Sequence, residues 1–217
     1  MDSTRRELAA HTVKARLSSH WPLKLVLAVG ACFLICGPYF LLQLSTSPPL
    51  VLTGPEFPLL PWTVWWYVSL YPFLFLTYAL IEDKEELLNQ VKLLSALTVI
   101  SHFIFYFFPT AVESPAYWEP YWPYDLVRHF DGQRNACPSL HATFVGLGLL
   151  IWRRLWQKDR SLRHLRVPVV LWGGLILLST LTTAQHVPVD LVAGLALAWI
   201  GWLTANNIGR NGNDDKQ

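Results

Sequence analysis

Charged residues are scarce in this chain of 217 residues. Asp, Glu, Lys and Arg make up 15% of it and hydrophobic residues 53%, whereas soluble domains average about 25% charged residues. Three cysteines are too few to form the disulfide framework of a small secreted scaffold. The apolar residues are gathered into long runs, which indicates a single membrane bundle rather than a soluble domain.

The cysteines offer little chemistry of their own. Cys32 and Cys36 lie in one apolar run, and we expect both to be buried as small apolar side chains. Cys137 has no acidic or basic neighbour in sequence to activate its thiol, which disfavours a role as nucleophile.

Six apolar segments are candidate membrane spans, because a helix needs about 20 residues to cross a bilayer. The fourth is the weakest, since Arg153 and Arg154 end its apolar core early. The sequence therefore predicts an all-α integral membrane protein, a bundle of six transmembrane helices. The expected spans are residues 25–42, 62–81, 92–108, 141–156, 167–185 and 187–206.

The remaining segments complete the expected domain organisation. We expect a basic cytoplasmic tail over 1–22, a membrane domain over 23–207 and a polar C-terminal tail over 208–217. Prolines between residues 48 and 61 predict a loop. The longest connection, 109–140, contains aromatic residues typical of a segment at the membrane surface. These are Trp118, Tyr121, Trp122 and Tyr124.

The distribution of basic residues predicts the orientation. With six spans and both termini in the cytoplasm, all of the 17 Lys and Arg residues except Arg128 and Arg134 fall on the cytoplasmic side. This agrees with the positive-inside tendency. Two histidine motifs, one at His141 and one at His186, then face the same non-cytoplasmic side, which is periplasm, extracellular space or an organelle lumen.

The second motif, from His186 to Asp190, is typical of an activated imidazole. Residues four apart share one face of a helix, so the Asp190 carboxylate can reach the ring and fix its tautomer. Pro188 is compatible with the first helical turn. An ionisable residue such as Asp190 at a membrane edge is a functional candidate by default.

The first motif places Ser139, Leu140 and His141 at the start of a helix. A helix N-terminus binds phosphate oxygens through free N–H groups and the helix dipole, and His141 can protonate a leaving oxygen. One attacking and one protonating histidine fit phosphoryl transfer through a phosphohistidine. We expect no metal, because His129, His141 and His186 do not form a closely spaced ligand pair.

Both motifs resemble those of the type 2 phosphatidic acid phosphatase (PAP2) superfamily. The stretch 135–142 (NACPSLHA) is similar to its second motif, in the form of the branch that includes inositol phosphorylceramide synthases, and 183–194 is similar to its third. The resemblance implies that His186 is the nucleophile, Asp190 orients it and His141 protonates the leaving group. It also implies that Ser139 and the Leu140 backbone bind phosphate, without a metal or other cofactor.

The chain departs from the family pattern in its cations. The first of the family's three motifs, which contains a lysine and a later Arg-Pro pair, is absent from this chain. In the segment that resembles the family's third motif, Thr180 and Ala184 stand where basic residues are usual. A phosphoryl group needs positive charge or hydrogen-bond donors. Our hypothesis is that Arg134, together with Arg128, substitutes for them, the alternative being that both are solvated loop charges.

Three functions remain open at this stage. The first is a lipid phosphatase that hydrolyses a lipid phosphate monoester or diphosphate at the outer leaflet. The second is a lipid phosphotransferase, in which an alcohol replaces water, and the third is a catalytically silent membrane binding protein. The expected partners are a lipid phosphate and the membrane, with no nucleic acid; the oligomeric state is open.

Overall fold

The computed structural model describes residues 13–214, and their side chains as far as residue 207. The chain is mostly helical, as the sequence predicts. Short 3-10 helices at Pro61–Thr63 and Arg160–Leu165 precede α2 and α7. The tail residues 1–12 and 215–217, including Arg5, Arg6 and Lys216, lie outside the described residues. The helices are α1 (Trp21–Gln43), α2 (Val64–Val68), α3 (Leu70–Ala79), α4 (Lys84–Phe107), α5 (Trp122–Phe130), α6 (Leu140–Lys158), α7 (Arg166–Thr182) and α8 (Pro188–Asp214).

Two short strands depart from the all-α prediction. Strand β1 (Leu50–Leu52) pairs in parallel with β2 (Thr110–Val112), and Ala111 also forms an antiparallel bridge with Arg134. The backbone groups of these connecting segments therefore bond to each other. The strands tie the two long predicted loops together at the end of the bundle where the histidine motifs lie.

Within the part of the chain that the structure describes, four helical segments are long and apolar enough to cross a membrane: Trp21–Gln43, Lys84–Phe107, Arg160–Thr182 and Pro188–Asn207. The predicted spans 62–81 and 141–156 are not among them. The first of these is interrupted at Ser69, close to Pro72, whose missing N–H cannot continue the helical bonding. The second lies in α6, whose apolar run is interrupted by Arg153 and Arg154 near the C-terminal end of the helix.

Helix α6 is the central helix of the bundle. It packs most extensively against α8 and also contacts α7 and α3. Trp152 on α6 is 1% exposed, and its indole N–H donates to Thr77 at 2.9 Å. Helix α1 instead packs by one face against α4 and α3. For this reason Cys32 is exposed and Cys36 only half-buried, and the prediction that both are buried is wrong.

The two ends of α6 differ in charge. Near its C-terminus, Arg154 pairs with Glu86 at 2.9 Å and Asp159 pairs with Arg16 at 3.1 Å. His141 lies at the opposite end of this helix of 19 residues, about 20 Å from Arg154 and about 27 Å from Asp159 at 1.5 Å per residue. Arg16 and Arg154, which belong to segments predicted to be cytoplasmic, therefore lie far from the histidine motifs.

Candidate active site

Ser139 fixes the first turn of α6 by capping it. Its Oγ accepts the Ala142 backbone N–H at 3.2 Å, and its carbonyl accepts the Thr143 N–H at 2.9 Å. A side-chain cap of this kind satisfies N–H groups that have no partner within the helix. His141, in the same turn, is therefore held on a defined part of the backbone.

Asp190 orients His186 at the start of α8. One carboxylate oxygen lies 3.0 Å from His186 Nδ1, and the other accepts the Val187 N–H at 3.0 Å. Asp190 is fully buried. Because an ionised carboxylate can only accept hydrogen bonds, Nδ1 carries the ring proton and Nε2 keeps its lone pair. This is the geometry of a nucleophilic or basic imidazole.

The two motifs are joined through the backbone. The Ser139 N–H donates to the Asp190 carbonyl at 3.0 Å. Gly194, one turn further along α8, lies against the first turn of α6, where a Cβ atom would be 2.4 Å from the Ser139 carbonyl oxygen. This close approach requires glycine and brings the two helix starts together.

Replacing Gly194 with alanine is expected to lower the free energy of unfolding by about 1–3 kcal/mol, because the added methyl forces α6 and α8 apart. Thermal unfolding in detergent measures this effect. Gly174→Ala is the matched control, since its Cβ would have nothing within 4 Å and alanine favours a helix. Equal melting temperatures for the two variants would contradict the packing described above.

The two histidine rings face one gap. Their centroids are 6.0 Å apart, with an interplanar angle of 59°. His141 Nε2 is buried and has no partner among the described residues. Both rings line the same cavity. One ligand can therefore contact both of them.

The turn before His186 is built by the backbone. The Thr180 carbonyl accepts the N–H groups of Gln185 and His186, both at 3.1 Å. Ala184 has a positive φ of 50°, and the Thr180 hydroxyl donates to the Leu177 carbonyl at 2.7 Å. The two positions that lack the family's basic residues therefore shape the turn and supply no cation.

Helix α5 packs against the same turn. Tyr124 is fully buried, and its hydroxyl donates to the Thr183 carbonyl at 3.0 Å. Burial raises the pKa of this hydroxyl. Trp122 is 70% exposed, whereas Tyr124 belongs to the core of the site.

A cavity of about 370 Å³ extends from the histidines between α1, α3, α4 and α6. Its wall is mostly apolar and includes Leu140 and Phe144 next to His141. Lys24 lies at its far end, but its ammonium already donates to three groups: the Arg16 carbonyl, the Ser19 hydroxyl and the Ala79 carbonyl. The cavity therefore suits a hydrocarbon chain whose polar end lies between the histidines.

Neither candidate arginine lines this cavity. Arg134 donates through Nη2 to the Ser47 carbonyl, and Arg128 donates through Nη2 to Ser114 at 3.2 Å while lying over the Trp118 ring. Each keeps one buried nitrogen without a partner among the described residues, Nε in Arg134 and Nη1 in Arg128.

Two other polar residues lie outside the histidine pair. His102 is buried in α4 with Nε2 unpartnered among the described residues, and it does not line the cavity. Burial raises the pKa of the Cys137 thiol, and the Asp190 carboxylate adds to this effect. Cys137 is therefore a poor source of thiolate, in agreement with its lack of activating neighbours.

Sequence reasoning missed a group beside His141. The Tyr67 ring stacks on the His141 ring with centroids 3.9 Å apart, and its hydroxyl donates to Asp131. The Tyr39 hydroxyl donates to the same carboxylate at 2.5 Å. Asp131 lies four residues before the Asn135 motif, yet nothing in the sequence sets it apart from the other acidic residues of the connection 109–140.

Comparison with models of protein families gives a match. A family model described as the PAP2 superfamily matches residues 41–204, which include both histidine motifs. No curated protein and no solved structure matches the chain.

Proposed function

The chain belongs to the PAP2 superfamily, and we propose from this that it is a membrane lipid phosphatase that hydrolyses a lipid phosphate monoester or diphosphate through a phosphohistidine. The observation that carries the proposal is the buried pair of histidines 6.0 Å apart, one of them bonded to Asp190. The apolar cavity beside them accommodates the lipid chain.

The reaction has two steps. His186 Nε2 attacks phosphorus, while Asp190 stabilises the positive charge that develops on the ring. The P–O bond to the lipid breaks, and His141 gives its proton to the leaving oxygen. Water, deprotonated by His141, then attacks the phosphohistidine, which releases phosphate and restores both rings. No step uses a metal or another cofactor.

Phosphate binding is assigned to the start of α6 and to the outer loop. Ser139 and the Leu140 N–H bind phosphate oxygens, and the α6 dipole favours the negative charge. Arg134 and Arg128 supply positive charge from the loop, each through the nitrogen that has no partner among the described residues. In an assay of phosphate release, Arg134→Ala is expected to raise the KM for the lipid phosphate more than it lowers kcat.

The proposed topology has six spans, with α2–α3 and α6 as the second and fourth, both tails cytoplasmic and the histidines on the non-cytoplasmic side. The proposed domains are a basic tail over 1–22, a membrane domain over 23–207 and a polar C-terminal tail over 208–217. The separation of basic residues from His141 along α6 supports this orientation.

Reporter fusions test the orientation. A reporter inserted after residue 134 is expected to be non-cytoplasmic, and one inserted near residue 160 cytoplasmic. Alkaline phosphatase and fluorescent protein fusions, which are active on opposite sides, measure this. The reverse pattern would place the histidines in the cytoplasm and contradict the orientation.

A lipid phosphotransferase similar to inositol phosphorylceramide synthases is the second candidate. The observation that favours it is the sequence Pro-Ser-Leu-His at residues 138–141, with Leu140 before His141. The same histidines serve both reactions, because an alcohol can replace water in the second step.

An assay with purified protein distinguishes these functions. Free phosphate release from lipid phosphates is measured in EDTA, with and without alcohol acceptors. Phosphate release supports the phosphatase, and headgroup transfer without free phosphate supports the transferase. If wild type and His186→Ala behave alike on every lipid, the protein is a silent binding protein and the proposal is wrong. If EDTA abolishes turnover, the metal-independent mechanism is wrong.

A further inference from the structure

Asp131 places a negative charge in the wall of the cavity that contains the histidines. Its two carboxylate oxygens accept the hydroxyl protons of Tyr39 and Tyr67, the first at 2.5 Å. Both tyrosines line the cavity, and the Tyr67 ring stacks on His141. One tyrosine side chain therefore separates this carboxylate from the imidazole that faces the reacting phosphate.

The surrounding loop holds Asp131 in place. Its N–H donates to the Val127 carbonyl at 2.7 Å, which ends α5. Asn135 donates to the Tyr39 carbonyl at 3.4 Å, so the loop is attached to the end of α1 beside the carboxylate. The position of Asp131 is thus fixed by α1, α2 and α5 together.

Asp131 has no ion-pair partner among the described residues. The only Lys or Arg that lines the described cavity is Lys24, whose three ammonium protons are already donated. Asp131 is half-buried, and a carboxylate that is partly removed from water in a mostly apolar wall is stabilised by a compensating positive charge. The two tyrosine hydroxyls supply hydrogen bonds but no positive charge.

The site thus combines two unusual features. Among the described residues, Lys24 is the one lysine or arginine in the cavity wall and its three ammonium protons are already donated, while Asp131, beside the phosphate position, has no ion-pair partner. A ligand with a phosphate and an ammonium group would meet both, because its ammonium pairs with Asp131 and adds to the positive charge proposed for Arg134 and Arg128. Aromatic rings around a carboxylate are also suited to ammonium binding through cation–π attraction.

We propose that Asp131, with Tyr39 and Tyr67, binds an ammonium group of the substrate, which is a lipid phosphate ester with an amine two carbons from a phosphate oxygen. This inference rests on the proposed phosphoryl transfer and deepens it by naming the substrate class. Two sources share this chemistry. They are amino-alcohol phosphodiesters of a glycerolipid and phosphate monoesters of a long-chain 2-amino alcohol.

The reaction remains balanced with either source. A P–N bond to His186 forms, the P–O bond to the lipid alcohol breaks, and His141 protonates that alcohol. Water then breaks the P–N bond, with its proton passing to His141. The diester yields a phospho-amino alcohol and the monoester yields inorganic phosphate, so the product identifies the source.

Amine-blocked substrates test the inference with the wild-type protein. Turnover is compared in mixed micelles for phosphatidic acid, a phosphoethanolamine diester and a long-chain 2-amino alcohol phosphate, the last two also in N-acetylated form. We expect kcat/KM for at least one free amine to exceed that of its N-acetylated form and of phosphatidic acid by about tenfold. Equal or better turnover of the N-acetylated forms and phosphatidic acid would overturn it.

Variants test whether Asp131 causes the preference for substrates with a free amine. Asp131→Asn is expected to lower the ratio of free-amine to N-acetyl kcat/KM by about tenfold, and Tyr39→Phe lowers it less. Glu113→Gln removes an exposed carboxylate of the same loop and leaves the ratio unchanged. If Asp131→Asn slows all substrates equally, ammonium recognition is wrong and the phosphatase proposal stands. If wild type turns over no substrate, both are wrong.

Discussion

His186→Ala is expected to abolish turnover of every lipid phosphate, with a loss in kcat of roughly 10⁴-fold or more, as for removal of a covalent nucleophile. The reason is that Nε2 of this ring is the only atom assigned to attack phosphorus, and alanine leaves neither a nucleophile nor a base in its place. The loss does not depend on whether water or an alcohol completes the reaction, since both follow the same intermediate. Single-turnover kinetics in detergent measure it.

His164→Ala is the matched control for this loss. His164 is exposed, near the C-terminal end of α6, and its Nδ1 lies 2.6 Å from the Ser161 carbonyl. This substitution also removes an imidazole ring, but from a residue that does not line the cavity. Activity should therefore stay near that of wild type. Substantial phosphoryl transfer by His186→Ala would show that another group attacks phosphorus.

His141→Ala is expected to show a loss that depends on the leaving group. An alkoxide leaving group is strongly basic and needs a proton as the P–O bond breaks, so kcat/KM for a lipid alkyl phosphate should fall by about 10²–10⁴-fold. A p-nitrophenyl phosphate ester has a leaving group stable without a proton. For that substrate the loss should be at most about tenfold.

The comparison between the two substrates separates the roles of the histidines. His186→Ala should slow the alkyl and the nitrophenyl ester to a similar degree, because both need the nucleophile. Equal losses for the two esters in His141→Ala would mean that His141 does not act as the proton donor for the leaving oxygen. Its role would then be confined to binding or to the shape of the cavity.

The predictable part of the site is local in sequence. His186 and Asp190 lie one helical turn apart, so helix geometry alone places the carboxylate beside the ring, and the observed 3.0 Å contact agrees with it. The start of a helix at residues 139–141 is likewise predicted from the sequence, whereas the capping role of Ser139 is seen only in the structure.

The unpredicted part depends on distant segments. Asp131 meets Tyr39 and Tyr67 only because α1, α2 and the connection 109–140 converge, and no spacing in the sequence encodes that convergence. The outward contacts of Arg134 and Arg128 likewise depend on where Ser47 and Trp118 lie. Hydropathy also treats 62–81 as one apolar run, and it does not register the interruption at Ser69.

The most direct test of the phosphohistidine mechanism is isolation of the intermediate. Wild-type protein is mixed with a ³²P-labelled lipid phosphate ester, quenched rapidly in alkali and digested, and the labelled peptide is identified. Label on His186 that is stable in alkali and released in acid, as expected of a phosphorus–nitrogen bond, and that is absent from His186→Ala, is the predicted result. Turnover with no label on the chain, or label on any other residue, would contradict it.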